Sequence, residues 1–403
     1  MRIVMLTNAV APDKLGGLER YVRELAEALQ ARGDQVLVIG KRVRPELPLH
    51  ETGHDGVITA RYRVPSKRNP LFVPLYPLVV AADVRRLLRR AGAGREDVVV
   101  HVHHPVPALV PMLLGVPYVY TFHAPVWREI LPERHDAYFL PAPLGRAGVA
   151  LFRRMEGLLL RRARLVITLS RFVRDEAIAL GVDPARHRLV PGGIDGERFR
   201  PAGSPAGGPE GPRLFTARRL VDRMGIDQLI EAMPAILAAL PGARLRIAGS
   251  GARRERLEAL IERLGLREQV RLLGRIPDAD LVEEYRAADL VVTPTQELEG
   301  FGLTTAEALA SGTAALVTPV GANAEVVEGL SELLVSSDRS PSAIADAVVA
   351  LFAQPAELTR IRGAARDHVL PRFGWDSVAE RYATLYGEAT GASDAAPGRS
   401  RTR

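Results

Sequence analysis

The strongest constraint on this chain is an alternation that is interrupted once. Short apolar runs trade places with helical stripes from the first residue onward. "RIVMLTNA" leads to "LERYVRELAEALQARG", whose apolar positions Leu18, Val22, Leu25, Ala26 and Leu29 form one helical face ending at Gly33. "QVLVIG", "DVVVHVHH", "PYVYTFH" and "RLVITLS" continue the strand series. Repeated βαβ units of this kind close into a parallel sheet covered on both faces. The pattern stops at "VPGGIDGERFRPAGSPAGGPEGP", from Val190 to Pro212, which is too dense in Gly and Pro for a strand or helix and reads as a linker. It then restarts with "RLFTARRL", "ARLRIAG", "QVRLLG", "DLVVTPT" and "AALVTPVG", with helical segments between them. Two doubly wound α/β domains follow, and ligands in such sheets bind at the carboxyl ends of the strands. A last amphipathic helix, "WDSVAERYATLYGEA", precedes a polar, basic tail that is expected to be disordered.

Bulk properties agree with this division and remove several alternatives. At 403 residues the chain exceeds the roughly 250–300 that one core serves, and 47% apolar with 25% charged residues is an ordinary globular balance. Without cysteine there is neither a disulfide framework nor a thiolate metal site. No apolar run reaches membrane-spanning length, and the N-terminus reads as a strand rather than a leader, so a cytoplasmic protein is expected. The net charge of +7, carried mainly by Arg, favours anionic partners. Aromatics at 5%, scattered, do not give the stacking surface of a nucleic-acid binder.

Several stretches can carry chemistry. In "APDKLGGLER", Gly16 and Gly17 either make a tight turn or let amides approach an anion at a helix N-terminus. "AGSGARRER" places Gly249 and Gly251 after a strand, but Arg254 occupies the third glycine position of a dinucleotide fingerprint. Arg218, Arg219 and Arg223 cluster where a strand gives way to a helix, as a phosphate site or as a solvated basic edge. In "TQELEGFGLTTAEALASG", Glu299 and Glu307 stand eight apart around Gly300 and Gly302. Thr304 to Glu307 has the T-x-x-E form of a capping box, and Glu299 precedes the helix, so a shared-proton carboxylate dyad is disfavoured. His101 and His103 share one face of a strand, while His123 sits at a strand's carboxyl end, the better place for a ligand. Asp278-x-Asp280 has the spacing of a metal-binding pair, yet N-capping of the next helix explains it more simply. "LFRRMEGLLLRRAR" is a basic amphipathic helix, either a core helix with a solvated rim or one that lies on an anionic membrane.

With these residues in view, the chain closely resembles a family-4 retaining glycosyltransferase of the GT-B fold. The resemblance runs from "GGLERYVRELAEAL" through "RRLVDRMGIDQLIEA" and "EGFGLTTAEALASG" to "WDSVAERYATLY". It implies two Rossmann-like domains facing each other across a cleft. An acceptor-binding domain would span 1–192 and a nucleotide-sugar-binding domain 193–374. A helix at 375–390 would return to the first domain, ahead of the tail at 391–403. By position, Glu299 would meet the transferred sugar and Glu307 the ribose hydroxyls. The backbone at Phe301, Gly302, Leu303 and Thr304 would hold the phosphates. Arg219 matches the phosphate arginine, Gly16 and Gly17 the N-domain loop, and His123 the histidine beside the donor sugar. Arg275 and Ile276 match the strand end beside the base. Two positions depart from the pattern. Met224-Gly225 stands where Lys-Gly is usual, so Arg223 or Arg218 is expected to supply that charge, and Gly192 stands where Asn is usual.

The activity this implies is transfer of a hexose from a UDP- or GDP-sugar to a hydroxyl acceptor, with retention, in glycan, glycolipid or glycosylated-metabolite synthesis. Neither metal nor cofactor is expected, the nucleotide sugar being a co-substrate. Two other readings stay open: a weakly catalytic sugar-nucleotide-binding protein, motivated by Met224, and a GT-B epimerase acting on a UDP-sugar without an acceptor.

Overall fold

The computed structural model describes residues 1–14, 16–65, 72–128, 142–201 and 211–390. Part of the expected linker and the whole of the 391–403 tail lie outside them. The chain separates into two compact units: Met1–Leu169 with Val173–Gly193 and Trp375–Arg403, and Ile194–Gly374 with Ser170–Phe172.

The first unit is built on β1 (Arg2–Leu6), α1 (Gly17–Ala31), β2 (Gln35–Lys41), β3 (His50–Thr52), β4 (Ile58–Tyr62), α2 (Phe72–Ala91), β5 (Val98–Val102) and α3 (Pro105–Leu113). It continues through β6 (Val119–Phe122), α4 (Ala142–Arg162), β7 (Leu165–Thr168), α5 (Arg171–Ala179) and β8 (His187–Leu189). Its sheet has the order β3-β4-β2-β1-β5-β6-β7-β8, parallel except where β3 meets β4. Strands β1, β5, β6 and β7 are buried almost throughout, as a parallel sheet with covered faces requires. The register Leu6↔Val102, with β6 next in order, brings Thr7, His103 and His123 to one sheet edge.

Helix α1 differs in detail from the periodicity reading. Its buried face holds Glu19, Tyr21, Val22, Leu25, Ala26 and Leu29, with Leu18 only half-buried. The larger Tyr21 takes the inward place because its hydroxyl finds a buried partner there, 2.7 Å away in Tyr382.

The second unit comprises β9 (Arg213–Ala217), α6 (Ile226–Ala239), β10 (Arg244–Ala248), α7 (Arg254–Arg263), β11 (Val270–Gly274), α8 (Asp278–Ala287) and β12 (Leu290–Thr293). After these come α9 (Leu303–Ala310), β13 (Ala314–Val317), α10 (Asn323–Val327), α11 (Pro341–Phe352) and α12 (Pro355–Phe373). Its five strands are parallel in the order β11-β10-β9-β12-β13. The strand order reverses beside β9, so the loops after β9 and β12 open at the switch point where α/β sheets take ligands.

Helix α13 (Trp375–Thr390) returns to the first unit and packs on α1 and β5. A Cβ on Gly193 would lie 2.2 Å from the Trp375 ring, so only glycine admits that indole. Trp375 Nε1 in turn donates to Glu24 at 2.8 Å.

Candidate functional site

In the second unit the loops after β9 and β12 meet at Glu299. Leu298, just before it, has φ 55, a left-handed conformation that costs a branched side chain of order 1–2 kcal/mol. Arg223 Nη1 donates to the Leu298 carbonyl at 3.1 Å and braces that turn. Gly302 follows at φ 92 and is the N-cap of α9; a Cβ there would sit 3.0 Å from Asn323 Oδ1. The amides of Leu303, Thr304 and Thr305 open the helix and lie outside its internal ladder, at the positive end of its dipole.

Glu299 is held from two sides. Its Oε2 accepts from Arg218 Nη2 at 2.7 Å, and its Oε1 accepts the Gly302 amide at 3.3 Å. Arg218 is buried and also donates to Thr295 Oγ1 at 2.5 Å, which accepts Asn323 Nδ2 at 2.9 Å. Arg218 Nε and Asn323 Oδ1 are buried polar atoms without a hydrogen-bond partner among the described residues. Buried polar atoms left in that state stand to gain from a polar ligand. The Arg218 backbone passes so close to Gly249 that a Cβ there would fall 1.8 Å from the Arg218 carbonyl oxygen, at φ 143.

The T-x-x-E pattern does not act as a capping box. Gly302 caps the helix, Thr304 lies inside it, and the Thr304 hydroxyl donates to the Ala217 carbonyl at 3.2 Å. Glu307 is buried and accepts from Tyr285 Oη at 2.8 Å. Phe301 is packed inward, edge-on to Phe373. Arg219 is exposed at the end of β9, and Arg275 and Ile276 follow β11, the first exposed and the second half-buried. Met224 is buried in the core. Of the two candidates for the charge that Met224 lacks, Arg218 therefore meets Glu299, whereas Arg223 meets a backbone carbonyl.

The first unit carries its own candidates. Gly16 is the N-cap of α1 and Gly17 its first residue. A Cβ on Gly16 would clash with Glu19 Oε2 at 2.3 Å, and Glu19 is paired with Lys14 at 2.5 Å. A carboxylate in the first turn thus already answers the helix dipole there. His123, half-buried, lies 3.1 Å through Nε2 from His103 Nδ1 and edge-on to Tyr21. Behind it, His101 bridges Thr121 at 2.7 Å and Tyr386 at 2.7 Å, and Tyr382 links Tyr21 to Thr121. Burial pushes His101 and His123 down to about 3, and His103 well below the usual range, so all three are neutral. The same burial pushes Tyr382 up to about 12.

Asp278 is the first residue of α8, behind Pro277 as N-cap, and pairs with Arg198 at 2.6 Å. Among the described residues, no group of three or more His, Asp or Glu is arranged to hold a metal ion. None of their helices is long and apolar enough to cross a membrane.

The residues that sequence reading missed are Thr295, Asn323 and Tyr285. Thr295 follows β12, Asn323 opens α10 and Tyr285 lies within α8 between Glu284 and Arg286, so their convergence shows only once it is known which elements meet.

Comparison with known proteins fits this geometry. Residues 15–198 match the model for Glycosyltransferase Family 4, and residues 206–368 that for Glycosyl transferases group 1. The chain is 32% identical to D-inositol 3-phosphate glycosyltransferase 1 of Catenulispora acidiphila, over 96% of this chain and 95% of that one. It is 28% identical to a glycogen synthase of Mycobacterium tuberculosis over 96% and 94%. Among solved structures, sucrose-phosphate synthase from Thermosynechococcus elongatus superposes with TM-score 0.79 at 23% identity, covering 97% and 99%. Anabaena HepE in complex with UDP-glucose gives 0.72 at 18%, covering 96% and 100%. From the two family matches, the near-complete overlap and the paired α/β sheets, the chain belongs to glycosyltransferase family 4 and has the GT-B fold.

Proposed function

We propose that this protein moves a hexose from a UDP- or GDP-sugar to a hydroxyl acceptor with retention of configuration and without a metal ion. The observation that carries the reading is the braced turn at 298–302. It sets Glu299 beside Arg218 and ahead of the first-turn amides of α9, an arrangement that suits an anion such as a diphosphate.

In this reading Glu299 meets the transferred sugar and Glu307, held by Tyr285, the ribose hydroxyls. Arg219 and the amides of α9 meet the diphosphate, and Arg218 stands in for the lysine that Met224 replaces. The bond from the anomeric carbon to the phosphate oxygen breaks with its electron pair leaving on the diphosphate. Arginine charge and helix amides stabilise that developing charge, the electrostatic contribution that usually dominates such catalysis. An oxocarbenium-like centre forms, the acceptor hydroxyl adds from the face the diphosphate leaves, and its proton passes to the departing phosphate oxygen. The products are a glycoside and a nucleoside diphosphate.

The same reading has the protein cytoplasmic and working against the inner face of an anionic membrane. Helix α4 supports this, with Leu151 69% and Leu158 38% exposed among its arginines.

The test is a thermal-shift panel of UDP-, GDP-, ADP- and dTDP-sugars, followed by turnover with and without hydroxyl acceptors. A donor that binds the native state raises Tm. Stabilisation by a UDP- or GDP-sugar with acceptor-dependent release of the diphosphate is expected. Binding with no transfer or hydrolysis would leave a sugar-nucleotide-binding protein, and acceptor-free conversion of the donor sugar an epimerase.

A further inference from the structure

A second group of cations lies in the first unit, apart from every residue discussed for the donor. Between α4 and the end of α5 runs an open groove of about 550 Å³ lined by Trp127, Val149, Arg153, Arg154, Arg161 and Leu180. Its wall is an aromatic ring with a cation stacked on it, since the Arg153 guanidinium lies 5.1 Å from the centre of the Trp127 ring. Arg128 stacks on the same ring at 5.1 Å and is also paired with Glu176 at 3.0 Å. The Trp127 indole N–H is buried and donates to none of the described residues. Arg153 and Arg154 form no ion pair among the described residues, and Arg161 meets only the Leu180 carbonyl, at 2.8 Å.

An uncommitted N–H donor beside several uncompensated guanidinium groups calls for an anion with several acceptor oxygens, and phosphate has that form. The surroundings say what the phosphate is attached to. Leu151 and Leu158 lie on the solvent side of α4, seven residues apart and so on one face, with Arg154 and Arg161 beside them. Ile178, 40% exposed, adds to this apolar rim from α5. A groove that binds anions, edged with exposed leucines, matches a lipid whose head group is charged and whose tails begin one layer deeper.

We propose that this groove holds the phosphate of an anionic phospholipid, with Trp127 Nε1 as donor and Arg153, Arg154 and Arg161 as counter-charge. This rests on the membrane-facing part of the functional reading and gives it a defined subsite.

The experiment is co-sedimentation of the full chain with phosphatidylglycerol and with phosphatidylcholine vesicles, with and without excess inorganic phosphate. Trp127→Phe, which keeps the ring and removes the N–H, and the pair Arg153→Gln/Arg154→Gln are run alongside. Their fold is checked by melting and their integrity by donor-induced thermal shift. Binding to phosphatidylglycerol alone is expected, weakened about tenfold or more by the arginine pair and several-fold by Trp127→Phe. Vesicle binding that both variants leave unchanged overturns the groove while the membrane reading stands. No vesicle binding by the native chain overturns both. Loss of vesicle binding in excess inorganic phosphate, with phosphate alone quenching Trp127 in the native chain but not in the arginine pair, makes this a site for free phosphate and overturns the lipid.

Discussion

The two units carry the same architecture and opposite electrostatics at their strand ends. In the second unit the carboxyl ends of β9 and β12 present ions: Arg218 against Glu299, with Arg219 exposed and Arg223 bracing the turn. In the first, the ends of β5 and β6 present His103 and His123 as neutral rings, packed with Tyr21 and backed by His101, Tyr382 and Tyr386. A fold of this kind sets where a site opens; the residues set whether that place is charged or only polar. In the proposed function the charged end takes the diphosphate, and the neutral end faces hydroxyl groups.

Breaking the charged end should have the largest effect. Arg219→Ala removes an exposed guanidinium, so the fold should survive while kcat/KM falls by about 10²–10³. Near-normal rates would remove Arg219 from the diphosphate. Arg218→Ala leaves Glu299 without its ion partner and should cost roughly 3 kcal/mol of stability or of transition-state binding, measured by melting and by kcat/KM. If Arg218 carries the charge that position 224 lacks, Met224→Lys should restore activity in the Arg218→Ala background. A double variant no better than the single one would assign that charge elsewhere. Arg223→Ala should then cost only a few-fold, through the loosened Leu298 carbonyl.

The neutral end is sharpened by pH. Burial holds His101 and His123 at about 3, while an unfolded chain protonates near the ordinary value of about 6.5. Between these values the unfolded state binds more protons, so stability is full above about pH 6.5 and falls as pH drops toward 3. Melting curves from pH 7.5 to 5 should show Tm decline, and His101→Gln should flatten the decline. An unchanged slope in that variant would show that other groups carry it. The smallest effect belongs to Glu307→Gln. A glutamine can still accept from Tyr285, so Tm should hold while donor affinity drops about tenfold by calorimetry.

Most of the architecture was legible because a buried parallel strand leaves a plain apolar run, and the Gly- and Pro-dense stretch forms neither strand nor helix at its described residues, 190–201 and 211–212. What escaped depends on neighbours that the chain order hides. β3 is three exposed residues, and β3 and β4 sit among Gly and His without a clear period. The T-x-x-E of Thr304 to Glu307 fits a capping box equally well on paper. Only the left-handed φ of Gly302 shows that the helix begins two residues earlier. Likewise Arg218 and Arg219 are adjacent and chemically identical, yet one is buried against Glu299 and the other faces water, which no spacing rule distinguishes. Tyr386 reaches His101 across 285 residues, far beyond any local signal.

The return of α13 to the first unit carries a consequence for how the protein is made. Tyr382 and Tyr386, which bond Thr121 and His101, are translated after the whole of the second unit. The second unit, continuous apart from Ser170–Phe172, is complete before them. At ribosomal speeds its roughly 180 residues take roughly 10–40 s to synthesise. The first unit therefore cannot be completed until the second has been translated. The strands of the first unit, translated earlier, gain the Tyr382 and Tyr386 hydroxyls beside Tyr21, Thr121 and His101 only once that helix has been made.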